Sequence, residues 1–317
     1  CGVFSVVMVG MNALLPIFGN LQVIPYVYMI LPFAGYNILL LTYKQLCFGL
    51  GAIKQASFQL YISYVVYFVI LIILQMTGRL SLATANFYNF SVNMLTVLLP
   101  VLYIYKKNVC WDNSIWKKIK TEQKERGWKI YFSRVVFISS SHVDILILGY
   151  FYSMDSVAFY AYAKYFSMPV MIIGSSVSQS LYRKFGVVNY IEKKMLRITI
   201  LATALTAGLM YLVSVIAVYI MGDVYKSMLS LMPLALLSSG ISGINAIYNS
   251  FLNAKGLANE LLNLSIVGAI GQIVFNFSLI IIFGAIGGIW AQLIVITMVF
   301  SMRVFYCNRY KKMNGSV

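Results

Sequence analysis

Two ionisable side chains mark the stretch SSSHVDILILG, Ser139–Gly149, because the residues after them are almost entirely apolar. His142 and Asp144 lie two positions apart, and a lysine, Lys164, follows in the next apolar stretch. A carboxylate and an ammonium group can neutralise each other, attract a charged ligand or take part in proton transfer. An unpaired charge inside a membrane costs on the order of 3 kcal/mol, so we expect Asp144 and Lys164 to pair, to face water, or both.

Long apolar stretches must position these residues. The chain of 317 residues is 61% hydrophobic and 10% charged, which is typical of a membrane protein. A helix needs about 20 mostly apolar residues to cross about 30 Å of hydrocarbon, and no stretch alternates as a transmembrane strand would. The predicted fold class is all-α, a polytopic membrane helix bundle of about ten transmembrane helices. The predicted spans are Val3–Phe18, Val23–Thr42, Gln59–Met76, Ala85–Tyr105, Tyr131–Phe151, Val157–Gln179, Met195–Met221, Met228–Leu252, Leu261–Phe283 and Ala285–Cys307.

Basic residues fix the predicted direction of threading, because arginine and lysine of short loops stay on the cytoplasmic side. Alternate loops are rich in them, whereas the opposite loops hold only Arg79 and Lys226. The basic tail RYKKMNGSV therefore predicts a cytoplasmic C-terminus. The formal charge of +16 then faces anionic lipid head groups. This distribution argues against nucleic acid as a partner, because the charges follow the spans and do not alternate with aromatic residues.

Helical periodicity places the ionisable residues on polar faces. If Tyr131–Phe151 is one continuous helix, Ser133, Ser140, Ser141 and Asp144 share a face with Arg134 at its margin. In the next span, the predicted polar face contains Tyr160, Lys164, Ser167, Ser175, Ser178, Gln179 and Tyr182. A turn near Met154 would join both spans in a hairpin. Asp144 and Lys164 are each ten residues from it, so both would lie about 15 Å deep.

Two interpretations of this pair stay open on sequence alone. It is either an interhelical pin that holds the hairpin together, contributing about 1 kcal/mol, or part of a transport path. His142 is either a packing residue or a candidate for proton coupling. Arg79 is either an interfacial anchor or a guard of an outer mouth. The small residues of LLSSGISGINA predict close packing between helices.

A weak internal repeat suggests how the spans are numbered. YKQLCFGLG and YNSFLNAKG share a tyrosine and a glycine at the same spacing after a span, and each precedes a span that ends in glycine. If these segments correspond, the chain holds spans three to twelve of a twelve-span protein built from parallel repeats, and we expect the first two spans to be absent.

Several motifs resemble one family of transporters. DILILGYFYSMDSVAFYAYAKYFSMPV resembles the start of the second half of Wzx-type polysaccharide or O-antigen flippases, which belong to the multidrug/oligosaccharidyl-lipid/polysaccharide exporter superfamily. YIMGDVYKSM, FLNAKGLANE and NFSLIIIFGAIGGIWAQL are further similarities. The resemblance implies two lobes around a cavity that opens alternately to each side. It divides the chain into a remnant of the N-lobe at 1–105 (spans three to six), a cytoplasmic linker at 106–130 and a C-lobe at 131–317 (spans seven to twelve).

The function implied by the resemblance is export, not catalysis. A flippase of this type moves an undecaprenyl-pyrophosphate-linked glycan across the bacterial inner membrane, and it requires no cofactor or metal. Its candidate partners are the lipid-linked glycan, membrane lipids, a polysaccharide polymerase and chain-length machinery. Cationic residues of the cavity would attract the pyrophosphate or acidic sugars. The candidate cavity residues are Lys164, Asp144, Arg134, Tyr160, Ser140, Gln179 and Arg79.

Three other functions compete with this one. A drug/cation antiporter of the same superfamily usually needs several acidic residues in the membrane, and Asp144 is nearly alone. A membrane polysaccharide polymerase would need larger outer loops than these. A scaffold without transport is the third. Direct use of a nucleotide is disfavoured, because the chain contains no Gly-x4-Gly-Lys-Ser/Thr loop.

Overall fold

Helices make up nearly all of the structure, a computed structural model that describes residues 39–40, 42–44, 46–47, 53–108, 113–140, 142–222 and 225–314. No strand occurs among these residues, so the predicted all-α class is confirmed there. The predicted span Val3–Phe18 and most of Val23–Thr42 lie outside the described residues.

The chain divides into two compact units, 1–111 and 112–317. In the first, helices α1 (Ile53–Met76) and α2 (Leu82–Asn108) are joined by a hydrogen bond of 2.6 Å between the hydroxyls of Ser63 and Thr96. The second unit contains the remaining helices. They are α3 (Asn113–Glu122), a π-helical turn (Gln123–Gly127), α4 (Trp128–Ser140), α5 (Val143–Phe151), α6 (Met154–Val187), α7 (Lys193–Met221), α8 (Lys226–Ala254) and α9 (Ala258–Asn314).

Six helices of the described part are long and apolar enough to cross a membrane. The matching segments are Ser57–Met76, Ala83–Leu102, Met154–Val187, Lys193–Ile220, Lys226–Ala254 and Ala258–Met313. Four of them coincide with predicted spans to within one turn, and Met154–Val187 contains the predicted span Val157–Gln179 and continues eight residues beyond it. The sixth contains both of the last two predicted spans, Leu261–Phe283 and Ala285–Cys307.

Gly284 explains how one helix holds two spans. Its backbone angles are φ 62° and ψ −136°, which no helix interior contains and which L-residues with a side chain rarely adopt. The helix folds back there into a first arm (258–283) and a second arm (285–314). Residues far apart in the chain become neighbours, since a Cβ at Gly271 would lie 3.2 Å from Val295 and one at Gly268 would lie 3.3 Å from Val299.

The predicted helix Tyr131–Phe151 is wrong as a continuous element. Helix α4 ends at Ser140, His142 lies in a turn, and α5 begins at Val143. Serine and histidine have lower helix propensity than alanine or leucine. In addition, the hydroxyl of Ser140 donates to the carbonyl of Phe137 at 3.0 Å, a bond that competes with the helix. The break places Asp144 in the first turn of a new helix, where a carboxylate is favoured.

Polarity in the second unit is arranged inside out relative to a soluble domain. On α7, Leu205 is 75% and Ile220 is 76% exposed, whereas Thr203 and Ser214 of the same helix are buried. Exposed apolar faces with buried hydroxyls are expected when hydrocarbon is the surrounding solvent. The structure thus agrees with a multi-pass membrane protein.

Helices α6 and α8 touch through their backbones, as the small residues of LLSSGISGINA predict. A Cβ built on Gly174 would lie 2.2 Å from the carbonyl oxygen of Gly243, so only glycine fits at this crossing. A hydrogen bond of 2.8 Å from Ser239 to Ser167 spans the same pair of helices. Met171 of α6 and Ser242 of α8, which lie next to this crossing, line a cavity of the second unit.

Candidate functional site

An elongated cavity of about 330 Å³ lies inside the second unit. Helices α4, α5, α6, α8 and both arms of α9 supply its wall. The volume is at the lower end of the range for small-molecule sites, about 300 to 1,000 Å³. Its polar lining residues are Ser133, Ser140, Asp144, Lys164, Ser242, Asn245, Asn249, Asn253, Ser265, Gln272, Gln292 and Arg303.

The same spacing occurs on three of these helices. Wall residues follow one another at i, i+3, i+4, i+7 and i+11, which is one face of an α-helix. They are Ser242, Asn245, Ala246, Asn249 and Asn253 on α8; Leu261, Leu264, Ser265, Gly268 and Gln272 on the first arm; and Gln292, Val295, Ile296, Val299 and Arg303 on the second arm. Eleven residues of helix span about 16 Å, so the cavity is a slot that follows the helix axes.

Asp144 occupies one end of this slot and is 3% exposed. Its Oδ1 accepts a hydrogen bond of 2.8 Å from the backbone N–H of Ile145. Its Oδ2 accepts from the hydroxyl of Tyr160 at 2.5 Å and from Nζ of Lys164 at 2.7 Å. A buried carboxylate requires such a set of donors. Tyr160 is fully buried and lies next to Gly288 of the second arm.

The predicted pairing of Asp144 with Lys164 is confirmed by this geometry. The hairpin turns between Phe151 and Met154, as the sequence predicts. The side chain of Lys164 is 22% exposed against 4% for Asp144, and it lines the cavity. Its Nζ also lies 5.2 Å from the centre of the Tyr160 ring. The pair therefore both neutralises charge and borders an open space.

Charge in the described wall is biased towards positive. Lys164 and Arg303 are its basic residues, and Asp144 is the one acidic side chain that the described residues contribute. Arg303 lies 19 residues beyond Gly284 on the second arm, or about 28 Å along the helix. Gln292 lies about 12 Å from the same glycine. The turn before Met154 lies beside this glycine, because the hydroxyl of Tyr152 donates to the carbonyl of Ile281 at 3.0 Å. Lys164 is about 15 Å along α6 from that turn, so Lys164 and Arg303 mark opposite ends of the slot.

Amide side chains between those ends are what sequence reasoning missed. Asn245 is 2% exposed, and its Oδ1 has no hydrogen-bond partner in the described structure. Asn249, Asn253, Gln272 and Gln292 complete the set. A polar face of α8 could have been predicted from the sequence, because helical spacing relates Ser242, Asn245, Asn249 and Asn253. It was missed because none of these residues is charged.

The other candidate residues fall in different places. Ser140 is in the wall, whereas Tyr160 lies behind it against Asp144. Gln179 is exposed and outside the wall, and His142 is exposed in the turn before α5. No contact in the described structure bears on the role of Gln179 in translocation or of His142 in proton coupling. Both roles stay predictions.

The two remaining candidates are arginines. Arg79 is exposed in the turn between α1 and α2, within the first unit. Arg134 lies in α4, and its side chain is outside the described part of the structure. Among the described residues, no group of three histidine, cysteine or acidic side chains is arranged to hold a metal ion.

Comparison with known proteins adds no relative. No protein-family model, curated protein or solved structure matches the chain.

Proposed function

We propose that the chain is a flippase similar to the Wzx type. It moves a polyprenyl-pyrophosphate-linked oligosaccharide from the cytoplasmic to the periplasmic leaflet of a bacterial inner membrane by alternating access. The observation that supports this proposal is the cavity of the second unit, a polar slot with a positive bias inside helices whose outer faces are apolar.

These features suit the movement of an anionic head group across a membrane. A pyrophosphate group is anionic, and moving an isolated charge into hydrocarbon is prohibitively costly. Lys164 and Arg303 supply positive charge, and the amides and hydroxyls of the wall can replace the hydration of sugars. The exposed apolar surface of α7 and its neighbours suits contact with lipid. The polyprenyl tail would therefore stay in the bilayer, outside the slot.

The predicted threading orients the cavity. It puts the loop around Lys255 and the basic C-terminal tail in the cytoplasm. Asn253 and Arg303 line the slot close to that side, and Lys164 lies deeper. A substrate arriving from the cytoplasmic leaflet would thus meet Arg303 first. Movement then requires that substrate binding shift the balance between two conformations.

The acidic residue of the wall distinguishes this proposal from an antiporter. Exchange of a drug for a cation needs a carboxylate that can take up that cation. Asp144 already accepts hydrogen bonds from Lys164 and Tyr160. The described wall offers the cation no second carboxylate, which favours an anionic substrate.

Reconstitution in vesicles tests the proposal. Undecaprenyl pyrophosphate carrying a short oligosaccharide is placed in one leaflet, and a membrane-impermeant glycosidase reports which glycans have crossed. We expect the protein to speed crossing, the double variant Asp144→Asn/Lys164→Gln to slow it at least tenfold, and the surface variant Lys184→Ala to behave as wild type. Folded protein that moves no glycan would contradict the proposal, and cation-driven drug efflux by the same vesicles would establish the antiporter.

A further inference from the structure

We infer that the slot holds an uncharged stretch of sugar along its amide side chains, with the pyrophosphate at the Arg303 end, and that Asn245 selects sugar groups that both donate and accept a hydrogen bond. This inference rests on the proposed function and names the part of the substrate that each zone of the wall contacts.

Asn245 carries the argument. The residue is 2% exposed and lines the cavity, and its Oδ1 has no hydrogen-bond partner among the described residues. Buried polar groups without partners are unfavourable, and each usually has an explanation. An amide offers both N–H donors and an oxygen acceptor. A sugar hydroxyl or an N-acetyl group satisfies both, whereas a carboxylate or phosphate oxygen can only accept.

The distribution of charge gives the orientation. Asp144, the acidic side chain of the described wall, lies 2.7 Å from Lys164 and repels a further anion at that end of the slot. Gln292, near the Lys164 end, and Arg303 at the other end are separated by about 16 Å of helix. Between them the described wall contains only uncharged side chains, among them Asn249 and Gln272. An anionic group therefore fits at the Arg303 end and a neutral chain fits along the rest.

Binding measurements with three ligands test this assignment in the purified full chain. The probes are undecaprenyl pyrophosphate alone, the same lipid carrying three N-acetylhexosamines, and its twin with a hexuronic acid in the middle position. We expect the neutral glycolipid to bind most tightly. Asn245→Leu should weaken it about threefold to tenfold, the loss of one or two hydrogen bonds, and leave the sugar-free lipid unchanged. Arg303→Gln should weaken all three ligands.

A folding readout separates ligand binding from a structural role. Removing a buried amide whose oxygen has no partner among the described residues should not lower the melting temperature of the unliganded protein. Asn249→Ala, one turn along the same face, gives a second variant that is less dependent on packing. Thr203→Val is the matched control, because its hydroxyl is buried outside the wall and has no partner among the described residues. This variant should leave binding unchanged.

The outcomes are distinguishable. If wild type binds none of the three lipids, the proposed function fails. If it binds them but prefers the acidic glycan, or if Asn245→Leu and Asn249→Ala bind the neutral glycolipid as wild type does, the inference fails alone. A lower melting temperature of unliganded Asn245→Leu with unchanged affinity would assign Asn245 to structure and would also overturn the inference.

Discussion

Two lysine–carboxylate pairs of the second unit have nearly the same geometry in different surroundings. Lys164 meets Asp144 at 2.7 Å with side chains 22% and 4% exposed, and Lys184 meets Glu192 at 2.5 Å with side chains 48% and 43% exposed. Exposed pairs contribute little because water screens them. A buried carboxylate that loses its partner is strongly destabilised. The nitrogen–oxygen distance alone therefore does not determine how much each pair contributes to stability. The burial of the pair does.

The surroundings of the buried Lys164–Asp144 pair, the inner pair, also include a third group and an open space. Tyr160 donates to the same oxygen of Asp144 that Lys164 contacts, and the lysine borders the cavity. The exposed Lys184–Glu192 pair, the outer pair, joins the end of α6 to the residue before α7. The inner pair can thus stabilise the hairpin and form part of a site at once. The two interpretations left open by the sequence are compatible.

Breaking the inner pair should have the largest effect on stability. Lys164→Met leaves Asp144 buried without its cation, and we expect a loss of about 3 kcal/mol in the free energy of unfolding. Thermal or detergent-induced unfolding of the purified protein measures it. A loss no larger than that of Lys184→Ala would mean that Asp144 is solvated by the cavity and needs no partner.

Two glycines differ in packing as the two pairs differ in burial, because one lies at a helix crossing and the other on an open helix surface. Gly174→Ala should cost about 1 to 3 kcal/mol, because the new methyl group meets the backbone of α8 at Gly243 and overpacks the crossing. Gly208→Ala on α7 is the matched control. No atom of the described residues lies within 4 Å of its added Cβ, so we expect up to about 1 kcal/mol of stabilisation from helix propensity. Equal unfolding curves for both variants would show that α6 and α8 are not in backbone contact.

Neutralising both partners of the inner pair should cost less than removing one. Asp144→Asn/Lys164→Gln keeps the shapes and can retain a hydrogen bond to Tyr160, so we expect a loss of about 1 kcal/mol. Comparison with each single variant gives the interaction between the two positions. Additive losses would contradict the ion pair, whereas transport that survives in the double variant would reduce it to a structural pin.

The outer pair should produce the smallest change. Lys184→Ala and Glu192→Ala each remove one partner of a solvent-screened pair, and we expect unfolding temperatures within experimental error of wild type. A drop comparable to that of Lys164→Met would show that exposure does not separate the two pairs.

Apolar length and periodicity made much of the fold predictable. Helices near the predicted spans of α1, α2, α7 and α8 appear with ends shifted by a few residues, and α6 continues eight residues past its predicted end. About 20 apolar residues give a strong signal for a span but a weaker one for its end. The break after Ser140 was not predicted, since turning residues by a constant angle assumes an unbroken helix. Three consecutive serines before a histidine were its local sign.

The site was predictable only where charge marked it. Asp144 and Lys164 stood out because ionisable residues are rare in apolar spans, and their equal distance from Met154 gave their common depth. Asn245 and Gln292 carry no charge, and their shared surface depends on the fold-back at Gly284, which brings distant segments together. Gln179 is exposed and outside the described wall, because a polar face on a helical wheel does not say which neighbour that face meets.

Access of water to the slot tests the central claim most directly. With the four native cysteines replaced, Gln292→Cys places a thiol in the wall, and Ile216→Cys places one on the exposed apolar face of α7. We expect a charged, membrane-impermeant maleimide to label Gln292→Cys but not Ile216→Cys in vesicles. Undecaprenyl-pyrophosphate oligosaccharide should protect Gln292→Cys from that reagent. A thiol at 292 that is never labelled, or that is labelled equally with and without the glycolipid, would contradict a water-filled substrate cavity.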